Sequence, residues 1–324
     1  MKIVIPVAGI GKRLRPHTYS LPKPLLHVAG KPILSHLLDP VVQLDPDEVI
    51  FVVGYKGDQI REFVDSTYSF KSKYVKQDDL LGLGFALNLA MQEVANSDVL
   101  IILGDTVVDC DLQKFVSSGD YVLGLRKVDD PRRFGIAVVE NNVITNLEEK
   151  PENPKGDQAI IGLYYFREVD RLKDALSAHV QEGRTTRGEI QFTDALQKMI
   201  ADGIKFVPYE VEGWYDCGKK ETMLDTNRQL LLKMNQQPEA EGSVLVPPVF
   251  VAASARVVNS VIGPNVSVSE NSVIERSIIA DSIIGSRAQL TNVVMRNSLV
   301  GHDVIMRNHE PHLNIGDSSS LGVE

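Results

Sequence analysis

The sequence predicts an α/β protein followed by a β-helical solenoid, and three observations carry that prediction. Short apolar runs alternate with helical patterns over residues 1–232. Two of those runs, Ile3-Val4-Ile5 and Val99-Leu100-Ile101-Ile102-Leu103, end in turn-forming segments at Gly9 and at Gly104-Asp105. Beyond residue 248 aliphatic side chains recur every five to six positions, a period that neither a helix nor a flat sheet has. A chain of 324 residues also exceeds what one core serves well, since single cores stop growing near ~250–300 residues. The expected organisation is a first domain over 1–232, a polar, proline-bearing linker over 233–248, a solenoid over 249–306 and a tail over 307–324.

Taken in order, the strand at Ile3-Val4-Ile5 leads into a glycine loop, and residues 33–44 read as a helix. Val49-Ile50-Phe51-Val52-Val53 is a strand ending at Gly54, residues 59–68 a weaker helix, and Tyr74-Val75 a short strand. Residues 84–94 are helical, with Phe85, Leu89 and Val94 on the buried face, and the strand at Val99 follows. Strands that are apolar throughout, separated by helices, imply a parallel sheet covered on both faces. Ligands of such sheets sit beyond the carboxyl ends of the strands, which puts Gly9 to Arg15 and Gly104-Asp105 on one crevice. Further strands are expected at 121–125, 136–139 and 160–166. Residues 189–202 read as an amphipathic helix, with Phe192, Ala195, Leu196, Met199 and Ile200 at helical spacing.

In the solenoid the recurring aliphatics are Val251, Val257, Ile262, Val268, Ile274, Ile279, Ile284 and Leu290, with small and polar residues between them. A hexapeptide repeat of this kind fits coils that stack their aliphatics inward. About three coils are expected at the ~18 residues per turn of a three-sided coil. An irregular β-sandwich is the alternative.

Composition is that of an ordinary globular protein, 43% hydrophobic and 24% charged, with a net charge of −9. That acidic balance argues against nucleic acid or an anionic membrane as partner. Two cysteines, Cys110 and Cys217, are too few for a disulfide framework and fit a reducing compartment. The N-terminal apolar run is too short for a secretory signal, and no stretch reaches the ~18 apolar residues of a membrane span. A cytoplasmic location is the expectation.

Against the acidic whole, the first 38 residues carry six Lys or Arg and no acid. Glycine lets backbone N–H groups approach a ligand, and uncompensated cations offset its negative charge. The loop therefore reads as a site for a small anion. The dinucleotide fingerprint would need glycine where Leu14 stands, and the Walker loop would need Ser or Thr where Arg13 stands. Neither applies. Asp105, at a strand end, reads equally as a turn-former or a ligand. Gln77 reads as an ordinary polar residue or as a group whose amide offers both a donor and an acceptor.

The fuller pattern is more specific. Gly9-x-Gly11-x-Arg13-Leu14-x-Pro16-x-Thr18, then Pro22-Lys23-Pro24-Leu25 and Gly30-Lys31-Pro32-Ile33, resembles the signature of the sugar-nucleotide pyrophosphorylases. Within that family, Arg187-Gly188-Glu189 with Thr193-Asp194 resembles most closely the glucose-1-phosphate thymidylyltransferases. The resemblance implies a Rossmann-like nucleotidyltransferase domain with a short left-handed β-helix behind it. It implies an enzyme of NDP-sugar biosynthesis that condenses an NTP with a hexose 1-phosphate and releases pyrophosphate, with Mg²⁺ as cofactor. The pair expected first is dTTP and glucose 1-phosphate, with UTP the alternative nucleotide.

Residue by residue, the resemblance implies a catalytic group of Arg13, Lys23, Asp105 and Asp216. The last lies in Trp214-Tyr215-Asp216-Cys217-Gly218, and the two aspartates are the implied magnesium ligands. Ala8, Gly9, Gly11, Arg13, Gln77 and Gly82 are the implied nucleotide contacts. Gln77 and Gly82-Leu83-Gly84 match a Gln-x-x-x-x-Gly-Leu-Ala stretch, except that Gly84 replaces alanine. Gly135, Glu149, Lys150, Gly162 and Arg187 are the implied sugar-phosphate contacts, although Gly188-Glu189 could also simply start a helix. Lys12 and Arg15 add positive field.

Three other readings carry distinct marks. A bifunctional acetyltransferase would need a longer solenoid and a catalytic histidine, and residues 249–301 contain no histidine. A non-catalytic regulatory subunit would not need all four of Arg13, Lys23, Asp105 and Asp216. A sugar-phosphate-sensing scaffold is the structural alternative. Homo-oligomers are expected because solenoid faces and edges favour self-association.

Overall fold

β1 (Lys2–Pro6) is central to its sheet, which is why Ile3, Val4 and Ile5 are fully buried. The computed structural model describes residues 1–95, 97–234 and 240–308. After β1 come α1 (Ile33–Val42), β2 (Glu48–Val53), α2 (Gly57–Thr67), β3 (Ser72–Lys76), α3 (Leu83–Met91) and β4 (Val99–Ile102). β1 pairs in parallel with β2 on one side and β4 on the other, and β2 pairs in parallel with β3. The order β3-β2-β1-β4 means the chain leaves β1 first to one side and later to the other. Between β1 and β4 is the switch point where open α/β sheets bind ligands.

β1, β2 and β4 are buried on both faces, so their runs are apolar rather than alternating, while the edge strand β3 is only half-buried. Val4, Ile50, Val52, Val99 and Ile101 join one core, while Ile3, Ile5, Val49, Phe51, Leu100 and Ile102 join the other. Leu87 and Met91 of α3 pack into the first core, and Leu34 and Leu38 of α1 with Ile60 and Val64 of α2 into the second. Burying each such side chain stabilises the fold by about 1.5–3 kcal/mol.

The rest of the sheet is antiparallel apart from one parallel pair at its end. β5 (Thr106–Asp109) and α4 (Leu112–Ser117) are followed by β6 (Tyr121–Lys127), β7 (Gly135–Glu140), β8 (Val143–Glu149) and β9 (Gln158–Phe166). α5 (Val169–Glu182), α6 (Phe192–Ala201), β10 (Val207–Glu210), β11 (Gly213–Asp216) and α7 (Lys220–Leu231) complete the series. β9 runs antiparallel to β4, β6 and β7, β7 pairs with β8, and β10 joins β6 in parallel. β5 and β11 form a separate two-stranded ladder.

The chain divides into two compact units, Met1–His27 with Lys31–Thr226, and Val28–Gly30 with the residues from Asn227 onward. The division falls inside α7, before the expected limit at residue 232. Asn227 explains this. It is fully buried, its side-chain oxygen accepts from the Ala29 N–H at 2.8 Å and the Ser267 hydroxyl at 2.9 Å, and its amide donates to the Asn265 carbonyl at 3.1 Å.

The second unit is the expected solenoid, a triangular left-handed β-helix of three parallel sheets with four strands each. Val244 pairs with Val261, Ile278 follows and then Val294, so successive coils advance by 17, 17 and 16 residues. The coils are thus shorter and more numerous than expected. Val244 and Leu245, assigned to the linker by sequence, already form the first strand of one sheet. Asn259, Asn265, Asn271, Arg276, Asp281, Arg287, Asn292, Asn297 and Asp303, between the strands, all have positive φ. Asn and Asp tolerate this conformation better than most residues. Val257, Ile262, Val268, Ile274, Ile279, Ile284 and Leu290 fill the interior, with Val251 packed against them. Buried Ser260, Ser277 and Ser282 each accept, one coil further on, the backbone N–H of Ser277, Val293 and Ser298. Residues 235–239 of the expected linker and 309–324 of the expected tail lie outside the described residues. No helix among the described residues is long and apolar enough to cross a membrane.

Candidate active site

The loop after β1 turns sharply at Gly11, whose φ of 68° favours glycine. A Cβ there would also lie 3.0 Å from the Lys23 Cβ and 3.1 Å from the Thr18 methyl carbon. The Gly11 carbonyl accepts from the Leu14 N–H and the Thr18 hydroxyl, and Leu14 is buried beneath. Lys12 and Arg13 are thereby held at the mouth while their anchor stays in the core. Lys23, buried at the head of a short 3₁₀ turn, places Nζ 3.2 Å from Asp105 Oδ2.

Asp105 follows Gly104, which has no room for a side chain: a Cβ would sit 2.3 Å from a Val7 methyl carbon. The ends of β1 and β4 therefore abut, with the Gly104 N–H donating to the Pro6 carbonyl. Asp216 arrives from far along the chain. In the β5–β11 ladder it stands opposite Thr106, beside Asp105. Its Oδ1 accepts from the Gly218 N–H at 2.7 Å. A Cβ on Gly218 would be 2.8 Å from both Arg13 Nη2 and Asp216 Oδ1, so guanidinium and carboxylate converge over that glycine. Cys217 between them is fully buried, and burial pushes its thiol up to about 12 although Lys23 opposes the shift. It stays protonated and is no nucleophile.

A cavity of about 570 Å³ opens over this group. Ala8, Gly9, Gly11, Arg13, Gln77 and Gly82 all line it, together with Lys12, Lys23, Asp105 and Gly218. Gln77 is buried, and its side-chain amide donates to the Asp79 carbonyl at 2.9 Å. Gly82 and Gly84 lie against the segment at Ile190. Cβ atoms on them would come within 2.6 and 2.9 Å of the Ile190 carbonyl oxygen. Glycine in place of alanine at 84 is a consequence of that approach.

The sugar-phosphate candidates form a second group. Glu149, the last residue of β8, has a side chain only 9% exposed, and its Oε1 lies 3.1 Å from Lys150 Nζ. Its Oε2 accepts from the Thr193 hydroxyl at 2.7 Å. Gly135 pairs with Glu149 across the β7–β8 ladder, and a Cβ there would be 3.0 Å from Oε2. Gly162, with φ of 84°, presses β9 against Leu103, whose N–H donates to the Gly162 carbonyl. Arg187 donates from Nη2 to the Lys150 carbonyl at 2.9 Å. Tyr164, a buried residue of β9, has its hydroxyl pushed upward by burial and then by the charges of Glu149 and Asp105. Trp214 and Phe134 pack edge to face with ring centroids 5.0 Å apart.

Residues 186–189 are not the start of a helix. Thr186 and Glu189 exchange both backbone hydrogen bonds around Arg187 and Gly188, which have φ of 56° and 82°. Two successive positive φ values mark a tight type I′ turn, and α6 begins only at Phe192. Thr193, Glu189 and Gly218 were visible only as parts of motifs. Their roles depend on partners distant in sequence, which no local signal reveals.

No group of three or more His, Cys, Asp or Glu that could hold a metal occurs among the described residues. Two hard carboxylates beside a cavity lined by cations suit instead an ion that takes the rest of its shell from phosphates and water, as Mg²⁺ does.

Residues 2–233 match the family model for nucleotidyl transferases. The chain is 30% identical to a glucose-1-phosphate thymidylyltransferase of Streptomyces griseus over an alignment 354 positions long, gaps included, which covers 98% of each protein. It is 34% identical to the bifunctional protein GlmU of Methanocaldococcus jannaschii over 242 residues, 72% of this chain but 55% of that one. Among solved structures, a Bacillus anthracis protein described as a glucose-1-phosphate thymidylyltransferase superposes with a TM-score of 0.64. That match has 28% identity and covers 74% of this chain and 98% of the other.

Proposed function

The chain belongs to the nucleotidyl transferase family, and from that premise we propose that it condenses dTTP with glucose 1-phosphate, releasing pyrophosphate. The observation that carries the proposal is the convergence of Arg13, Lys23, Asp105 and Asp216 at one end of a cavity, whose lining residue Glu189 closes the turn that carries Arg187, with Lys150 and Glu149 joined to that turn. Two cationic groups suit a reaction between two phosphates. The choice of dTTP and glucose 1-phosphate rests on the Streptomyces relative and on the Arg187 to Asp194 segment.

An oxygen of the sugar phosphate attacks the α-phosphorus. A new P–O bond forms, the bond to the β-phosphate oxygen breaks, and its electron pair leaves with pyrophosphate. Such a transfer needs little covalent help and depends on positioning and charge neutralisation. Arg13 grips phosphate oxygens with its planar fork. Lys23, held by its ion pair and its buried stem, offers a point charge to the α-phosphate. Lys150 and Arg187 hold the incoming phosphate, and Glu149, fixed by Thr193, accepts from sugar hydroxyls. Gln77 reads the pyrimidine edge through its donor and acceptor. Asp105 and Asp216 would hold Mg²⁺, which when bound supplies neutralisation of phosphate charge.

The test is a pyrophosphate-release assay that crosses the common NTPs with sugar 1-phosphates, with and without Mg²⁺. Highest kcat/KM with dTTP and glucose 1-phosphate, lost on chelation, is expected. A clear preference for UTP would replace the nucleotide, and no turnover with any pair would overturn the substrate reading.

A further inference from the structure

Glu189 is a second carboxylate in the cavity, and the chemistry above gives it no task. It closes the tight turn that carries Arg187, and its neighbour Ile190 ties the turn to the opposite wall. The Ile190 N–H donates to the Leu81 carbonyl at 2.7 Å, and the Gly84 N–H donates to the Ile190 carbonyl at 2.9 Å. A Cβ on Gly82 would touch the Glu189 Cβ at 2.9 Å. The Glu189 stem is therefore fixed against Gly82, on the wall that also carries Leu83. Among the described residues its side chain has one polar partner, the Gln191 amide, with Nε2 3.2 Å from Oε2.

A carboxylate only accepts hydrogen bonds and repels phosphate. Triphosphate oxygens are acceptors, and the pyrimidine N–H is matched by Gln77. The remaining donors on a nucleotide are the hydroxyls of its pentose. We infer that Glu189 accepts a hydrogen bond from the pentose hydroxyl of the bound nucleotide and so contributes to nucleotide binding. This rests on the nucleotide reading of the cavity proposed above. For dTTP the hydroxyl is the 3′-OH.

The test compares dTTP with its 3′-deoxy analogue as substrates for the native enzyme, Glu189→Ala and Glu189→Gln. A site that uses a charged acceptor for a hydroxyl penalises its loss by about 10–100-fold in kcat/KM. The native enzyme should show that ratio, Glu189→Ala should bring it within about threefold of unity, and Glu189→Gln should fall between. Glu189 is exposed, and thermal melts of both variants check that the turn survives. Were Glu189 only a support for Gln191, the variants would shift melting temperature and leave the ratio intact. A native enzyme indifferent to the 3′-hydroxyl, or a variant that keeps the full ratio, overturns the inference. Failure of every nucleotide with the native enzyme would instead bring down the substrate reading beneath it.

Discussion

Lys23 Nζ and Asp105 Oδ2 are 3.2 Å apart, yet the lysine side chain is 9% exposed and the aspartate 54%. A pair with one member in water adds little to stability, at most about 1 kcal/mol. Asp105→Asn should therefore fold normally and lose activity by about 10²–10³-fold, measured as initial rate across a magnesium titration. Full rate in that variant would remove Asp105 from the site. Thr193 makes a separable contribution. Its hydroxyl donates to Glu149 Oε2 at 2.7 Å, so Thr193→Val frees the carboxylate to turn while changing side-chain volume little. KM for the sugar 1-phosphate should rise about 5–20-fold, with KM for the nucleotide unchanged. Equal changes in both would place Thr193 in general support of the fold.

At the scale of elements, the glycines record how closely segments approach. Gly84 at the second position of α3 donates its N–H to Ile190, and a Cβ would come within 2.9 Å of that same carbonyl oxygen. Gly84→Ala must push the turn segment away. A loss of about 1–3 kcal/mol is expected from such overpacking, read from chemical denaturation, with a higher nucleotide KM because Gly82 and Glu189 move with it. An unchanged midpoint and KM would mean the segment yields freely. The β5–β11 ladder acts in the opposite sense, by register. Slipping it by one residue would turn Asp216 to the other face, away from Asp105.

The whole molecule carries its pH sensitivity partly in the solenoid. Asp281 is mostly buried, which alone would raise its pKa. Hydrogen bonds from the Asn265 amide and the Arg228 guanidinium outweigh burial and hold the carboxyl below its usual range. A depressed carboxylate stabilises the fold above its unfolded pKa, near 3.9, and that contribution fades as pH falls through the lower folded value. Asp281→Asn should melt lower than the native protein at pH 7, and the gap should narrow below about pH 4. A gap that stays constant with pH would show that the ionised form contributes nothing.

Much of this protein is determined by local sequence. Apolar runs such as Ile3-Val4-Ile5 are buried on both faces wherever they lie in a parallel sheet, and glycine at position 11 permits the turn that its loop makes. The turn segments that follow β1 and β4, the basic loop after β1 and the aliphatic repeat of the solenoid were all legible for that reason. The coil length was less so, because the Asn and Asp residues that turn its corners are also ordinary loop residues. What the tertiary structure alone decided are meetings between distant segments: Asp216 beside Asp105 through ladder register, Thr193 on Glu149, Glu189 on the wall with Gly82, and the unit boundary at Asn227. Such contacts depend on how separately formed elements pack, and the chain encodes packing in the sum of its core rather than in any one stretch.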